Sequence, residues 1–167
     1  MGQMKKSIPL AAFNSPFELG FRMVYLLNTL QPAGADLQKL VLLDYAIVYS
    51  DDLDGPPSLH TPVPYRGSEY MSRRELIAKS LYLMSTRGLV AVSMDETGIT
   101  YFAGNTARSM VGALTSPYLR ELEGRCRWAA ATFATLSSKD MTERFAQQGH
   151  LWGAEFESAT ARGHQWQ

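Results

Sequence analysis

The stretch Thr86–Asn105, TRGLVAVSMDETGITYFAGN, holds two short β-rich runs on either side of a tight turn. LVAVSM and ITYFA have the β-branched and aromatic content of strands, and Asp95 and Gly98 supply turn chemistry between them. The hairpin follows directly on an amphipathic stretch, so the local order is helix then hairpin, the order in which a winged helix ends. Leu89, Ala91 and Ser93 alternate with Val90, Val92 and Met94, which predicts one face packed on the helices. The turn is acidic. Asp95 and Glu96 would repel phosphate at the place where a DNA-binding wing carries Lys or Arg.

The stretch before it, MSRRELIAKSLYLMSTRG, reads as a helix with Ser72 and Glu75 at capping-box spacing and Gly88 as its stop. Leu76, Ile77, Ser80, Leu81, Leu83 and Met84 form its inward stripe. The opposite face, with Glu75, Lys79 and Tyr82, is mixed rather than basic, which is poor for reading DNA. Nearer the start, Ser15, Pro16 and Glu18 open a helix whose apolar stripe is Leu19, Met23, Leu26, Leu27 and Leu30. Gly20 inside it lowers helix propensity by about 1 kcal/mol relative to Ala, a cost that predicts close packing at that point. Asp36 caps a second helix, with Leu37, Leu40, Val41, Asp44, Ile47 and Val48 inward. Asp44 therefore sits among apolar neighbours and requires a hydrogen-bonding partner.

Between the second and third helices runs SDDLDGPPSLHTPVPYRGSEYM, with four prolines and no helical or strand period. A connection this long in a compact domain carries function or is disordered, and Leu53, Leu59, Val63 and Tyr65 predict that it packs. It is far longer than the turn of a helix-turn-helix. Arg73 and Arg74 fall in the expected first turn of the third helix, where the macrodipole favours anions. Their counter-ion is expected to be Asp51, Asp52 or Asp54, a partner's carboxylate, or a phosphate. In the first case Arg66, Arg73 and Arg74 would hold the loop.

After the hairpin, Asn105 is expected to cap a short helix, and Ser116-Pro117 to open a longer one with Tyr118, Leu119, Leu122, Cys126, Ala129 and Phe133 inward. Arg120, Glu121, Glu123, Arg125 and Arg127 read as its solvated face. A last helix is expected near Asp140–Gln148, followed by a tail whose Trp152, Phe156 and Trp166 suit docking. The chain as a whole reads as α+β and mostly helical. An N-terminal extension (1–13) precedes a winged-helix-like helical core with one β-hairpin wing and the following helices (14–136). A C-terminal helix and tail (137–167) complete it.

Charge and chemistry narrow the function. Among 167 residues, Lys and Arg number 16 and Asp and Glu 16, a balance that argues against strong autonomous DNA binding. One cysteine, Cys126, allows no internal disulfide and fits a reducing, cytoplasmic setting. No apolar run reaches the length of a membrane span. His60, His150 and His164 show no zinc spacing, and no nucleotide, hydrolase or metalloprotease motif is present, so neither a cofactor nor an enzymatic activity is expected.

The stretches NSPFELGFRMVYLLNTL, LQKLVLLDYAIVYSDDLDGPPSLHTPVPYRGSEYMSRRELIAKSLYLMSTRGLV, GITYFAG and SPYLRELEGRCRWAAATF resemble the middle component of bacterial ABC-three-component systems, of which Lamassu defence systems are relatives. The similarity covers about Asn14 to Phe133. It implies a small non-catalytic subunit that joins an SMC-type coiled-coil ATPase to an effector, often a nuclease, in anti-phage or anti-plasmid defence. DNA would be contacted weakly or through the complex. The family pattern points to the loop and the third-helix start, here Pro56, Pro57, His60, Pro62, Arg66, Glu69, Arg73 and Arg74. The expected partner-binding residues are His60, Tyr65, Arg66, Arg73 and Arg74, with Trp152, Phe156 and Trp166 in the tail. The competing expectation is a winged-helix transcription regulator acting on DNA.

Overall fold

The computed structural model describes residues 15–61 and 70–148, with the backbone alone for 70–72 and 148. Six helices and one hairpin follow in the order α1 (Pro16–Leu30), α2 (Leu37–Val48), α3 (Tyr70–Ser85), β1 (Val90–Asp95), β2 (Gly98–Ala103), α4 (Ala107–Ala113), α5 (Pro117–Phe133) and α6 (Ser138–Gln148). A 3₁₀ turn, Ser50–Leu53, follows α2. The chain is thus α+β and mostly helical.

Local chemistry sets the helix starts. The Ser15 hydroxyl accepts from the Glu18 amide at 3.3 Å, Asp36 from Lys39 at 2.7 Å and Ser116 from Leu119 at 3.1 Å. Thr106, rather than Asn105, occupies the N-cap position of α4. Helix α3 begins at Tyr70, two residues ahead of the expected cap at Ser72. It ends where Gly88 adopts φ +71, a conformation that a β-carbon disfavours.

The core is formed around α1 and α2, which are buried on more sides than an amphipathic stripe requires. All five stripe residues of α1 are buried, and so are Gly20, Arg22, Val24 and Tyr25. In α2 every residue from Leu40 to Val48 is buried. Helices α3, α4 and α5 and strand β2 enclose α1, while α3, α5 and α6 cover α2. Helix α6 packs Phe145 against Phe133, ring centroids 5.3 Å apart, and Ser138 donates to Asp36 at 3.0 Å. Tyr118, placed inward by helical spacing, is 37% exposed instead, because it stands in the first turn of α5.

The hairpin is an antiparallel pair closed by Glu96 and Thr97, with Asp95 opposite Gly98. Asp95 accepts from the Thr97 amide at 2.8 Å, which fixes the turn. One face was expected to pack along its length, and only its base does. Val90 is buried, whereas Val92 and Met94 are 48% and 76% exposed. The reason is geometric: β2 is tied to the body by the Ala35–Tyr101 bridge, and the strands run outward beyond it.

The close packing expected at Gly20 is present. A β-carbon there would overlap the Met84 side chain of α3, reaching 2.8 Å from its Cγ. Gly20→Val is therefore expected to lower unfolding free energy by about 1–3 kcal/mol, the usual cost of overpacking. Urea denaturation checks this, and an unchanged midpoint would show that Met84 relaxes freely.

Candidate functional site

Asp44 has no exposed surface, and it lies between two cations from different helices. Arg22 of α1 approaches side-on, with Nε donating to Oδ1 at 2.8 Å and Nη2 to Oδ2 at 3.2 Å. Arg73 of α3 donates from Nη1 to Oδ2 at 3.3 Å, and its guanidinium lies 5.7 Å from the centre of the Tyr49 ring. Three helices thus converge on one carboxylate. Burial pushes the Asp44 carboxyl upward, but the charges of Arg22 and Arg73 outweigh it and hold the group below the usual carboxylate range. Burial likewise opposes the charge of Arg22, and Asp44 overcomes it.

The proline-rich loop lies on this cluster. The His60 amide donates to the Val48 carbonyl at 3.2 Å, and Nε2 of its ring lies 2.9 Å from the Tyr118 hydroxyl. Tyr118 is in turn bonded to Arg22, so the loop connects through one phenol to the buried ions. Burial lowers the His60 pKa to about 4, aided by the positive charges of Arg22 and Arg73 and opposed by Asp44. The ring is therefore neutral at pH 7.

The sequence expectation for the loop's anchors requires correction. Arg73 pairs with Asp44 and Arg74 donates to Gln38 at 3.0 Å, so neither holds the loop through Asp51, Asp52 or Asp54. With the helix starting at Tyr70, an inward Arg73 faces α2 rather than the loop. Arg125, read as part of a solvated face, supplies an anchor: its Nε donates to the Pro57 carbonyl at 2.8 Å. Ser50 donates to the same carbonyl at 3.3 Å, the Tyr45 hydroxyl donates to Asp52 at 2.7 Å, and the Asp51 amide to Ser58 at 3.2 Å. On the same helix, Arg127 and Glu123 do form the surface pair expected of α5, at 2.6 Å.

The partner Asp44 required is thus found, but Arg22, its closest ion-pair partner, was missed. The signal was available: α1 and α2 are two apolar helices that each carry one inward charge, of opposite sign. Of the expected partner-binding residues, His60 is half-buried at the cluster, Arg73 is buried in it and Arg74 is half-buried beside Gln38. Tyr65, Arg66, Trp152, Phe156 and Trp166, and with them Pro62 and Glu69, lie outside the described residues.

No group of three or more His, Cys, Asp or Glu among the described residues is placed to hold a metal ion. Cys126 is buried, and burial pushes its thiol up, which makes it a packing residue of α5. Residues 12–155, which include every described element, match the family model of the ABC-three component (ABC-3C) system Middle Component 2. The chain belongs to that family. No curated protein and no solved structure matches this middle component. Its polar cluster is a structural joint: among the described residues, Arg22 and Arg73 both direct their charge at Asp44.

The neutral His60 gives the middle component a pH signature. Its folded pKa is depressed from 6.5 to about 4, so the unfolded chain binds the extra proton in that window. The His60 contribution to stability is complete above pH 6.5 and is lost as pH falls toward 4. The thermal midpoint should fall over this range, and less steeply in His60→Gln. Equal slopes in the two proteins would contradict the assignment.

Proposed function

We propose that this middle component is the non-catalytic adaptor of a three-part defence complex in the cytoplasm, joining an SMC-type coiled-coil ATPase to an effector. In a Lamassu-like system the effector is a nuclease acting against phage or plasmid. The observation that carries the reading is the family match across residues 12–155. Two features of the fold support it. The titratable groups of the central cluster are committed to one another, so they serve architecture. The hairpin turn presents exposed Asp95 and Glu96, which disfavour phosphate.

In this reading the partner-facing surface comprises the loop, with His60, Tyr65 and Arg66, and the aromatic tail, with Trp152, Phe156 and Trp166. Arg73 and Arg74 serve it from within, by holding α3 against α2 beneath the loop. DNA is reached through the assembled complex.

Affinity purification of the tagged full chain, expressed with the products of the adjoining genes, tests the reading. The expected result is recovery of the ATPase and the effector. The lone chain should bind duplex DNA only at the non-specific level, about 10⁻⁴–10⁻⁶ M at physiological salt. A chain recovered alone that bound one DNA sequence at nanomolar concentration would overturn the adaptor role.

A further inference from the structure

The hairpin leaves one strand edge open. Tyr101 of β2 commits both its N–H and its C=O to Ala35, at 2.9 Å each, on the side away from β1. In an antiparallel ladder, opposite residues exchange both bonds with each other or neither. Val92, opposite Tyr101, therefore points its N–H and C=O away from β2, and so does Met94, opposite Ile99. Among the described residues no strand lies beyond β1, and all of its residues after Val90 are exposed. Folded proteins blunt such edges with Pro, Lys or a bulge. The β1 sequence VAVSMD contains neither residue, and its register with β2 runs unbroken from Val90 to Asp95. The face that carries Val92 and Met94 also carries Ile99, and all three side chains are exposed. An unprotected edge and an apolar face thus coincide.

We propose that β1 of one copy of this chain pairs with β1 of a second copy, antiparallel about a two-fold axis, to form a four-stranded sheet. Open N–H and C=O groups at alternate residues take an extended strand, because only its backbone repeats at their spacing. The placement of charge selects a second copy as the source of that strand. Arg87 is exposed just before the base of β1, and Glu96 is exposed at its tip. Antiparallel pairing lays the tip of each strand along the base of the other, so Glu96 of each copy comes beside Arg87 of its mate. Parallel pairing would bring like charges together. The outward-bonding residues Val92 and Met94 can pair only with their own counterparts, which places their side chains on one face and joins the two apolar faces into a single strip. The balance of 16 basic and 16 acidic residues leaves no net repulsion between copies. The inference goes beyond the adaptor reading, which sets no copy number, and neither depends on the other.

The test is analytical ultracentrifugation of the purified full chain, alone, over a range of concentrations. The expected result is a reversible dimer in the micromolar range. Val92→Pro removes an outward N–H and leaves the bonds between β1 and β2 in place, so it should weaken the dimer by roughly tenfold or more. Arg87→Glu and Glu96→Arg, both at exposed positions, should each weaken it as single changes, and the double variant should regain most of the loss. This charge reversal carries the test if Val92→Pro does not fold. Amide exchange supplies the local readout: Val92 and Met94 should be protected in the dimer and lose that protection on dilution. A monomer at every concentration up to about 0.2 mM would overturn the proposal. So would a dimer whose affinity none of these substitutions changes, since its contact would lie elsewhere. Protection of Val92 and Met94 that arises only when another subunit is added to a monomeric chain would overturn it as well, and would assign the edge to that subunit's strand.

Discussion

The Asp44 carboxylate, fully withdrawn from water, is the constraint on which the packing of α1, α2 and α3 depends. Removing an ionised group from water costs several kcal/mol unless neighbouring groups replace its solvation. Arg22 does so with a side-on pair of N–H groups, and Arg73 adds a third donor from another helix. Two cations on one carboxylate leave positive charge over, and Glu18, close enough to influence Arg22, offsets part of it. Apolar side chains of the same volume would fill the space with equal or greater stability. What they would lack is direction, since a guanidinium–carboxylate pair accepts few relative placements of its helices.

The rest of the candidate site is arranged around that joint. Arg22 carries it toward Tyr118, and Tyr118 carries it to His60 and the loop. Arg125 and Ser50 then fasten the loop from the side, both at the Pro57 carbonyl. The same Arg22 and Tyr118 also line a pocket between α1 and α5. A loop rich in proline loses little chain entropy on being ordered, so a few such bonds are enough to hold it. For a subunit whose family works among partners, this arrangement provides a preshaped surface.

Much of the fold was legible in the sequence because its signals are local. Ser15, Asp36 and Ser116 each cap the helix that their spacing announced, and the hairpin lies where the β-rich runs place it. Gly20 marked a close helix contact for the same reason: its propensity cost needed a compensating gain. Long-range pairing was less legible. The need of Asp44 for a partner could be read from its neighbours, but the identity of that partner depends on how α1 crosses α2, which no periodicity encodes. The counter-ion of Arg73 was open between a loop carboxylate, a partner's carboxylate and a phosphate, and the structure supplies Asp44 of α2 instead, a pairing that depends on how α3 packs on α2. The extent of hairpin packing failed on similar grounds. Alternation states which side chains share a face, not how far the core reaches along it.

Amide hydrogen exchange in Asp44→Asn tests the central claim most directly, because the substitution keeps the side chain's shape and removes its charge. If the carboxylate organises the site, unfolding free energy falls by about 3–5 kcal/mol, as expected when buried cations lose their counter-ion. The His60 amide, bonded to Val48, should then lose protection beyond what that global loss explains, while the turn amide of Thr97 on the distant hairpin does not. Wild-type stability with unchanged protection at His60 would contradict the account.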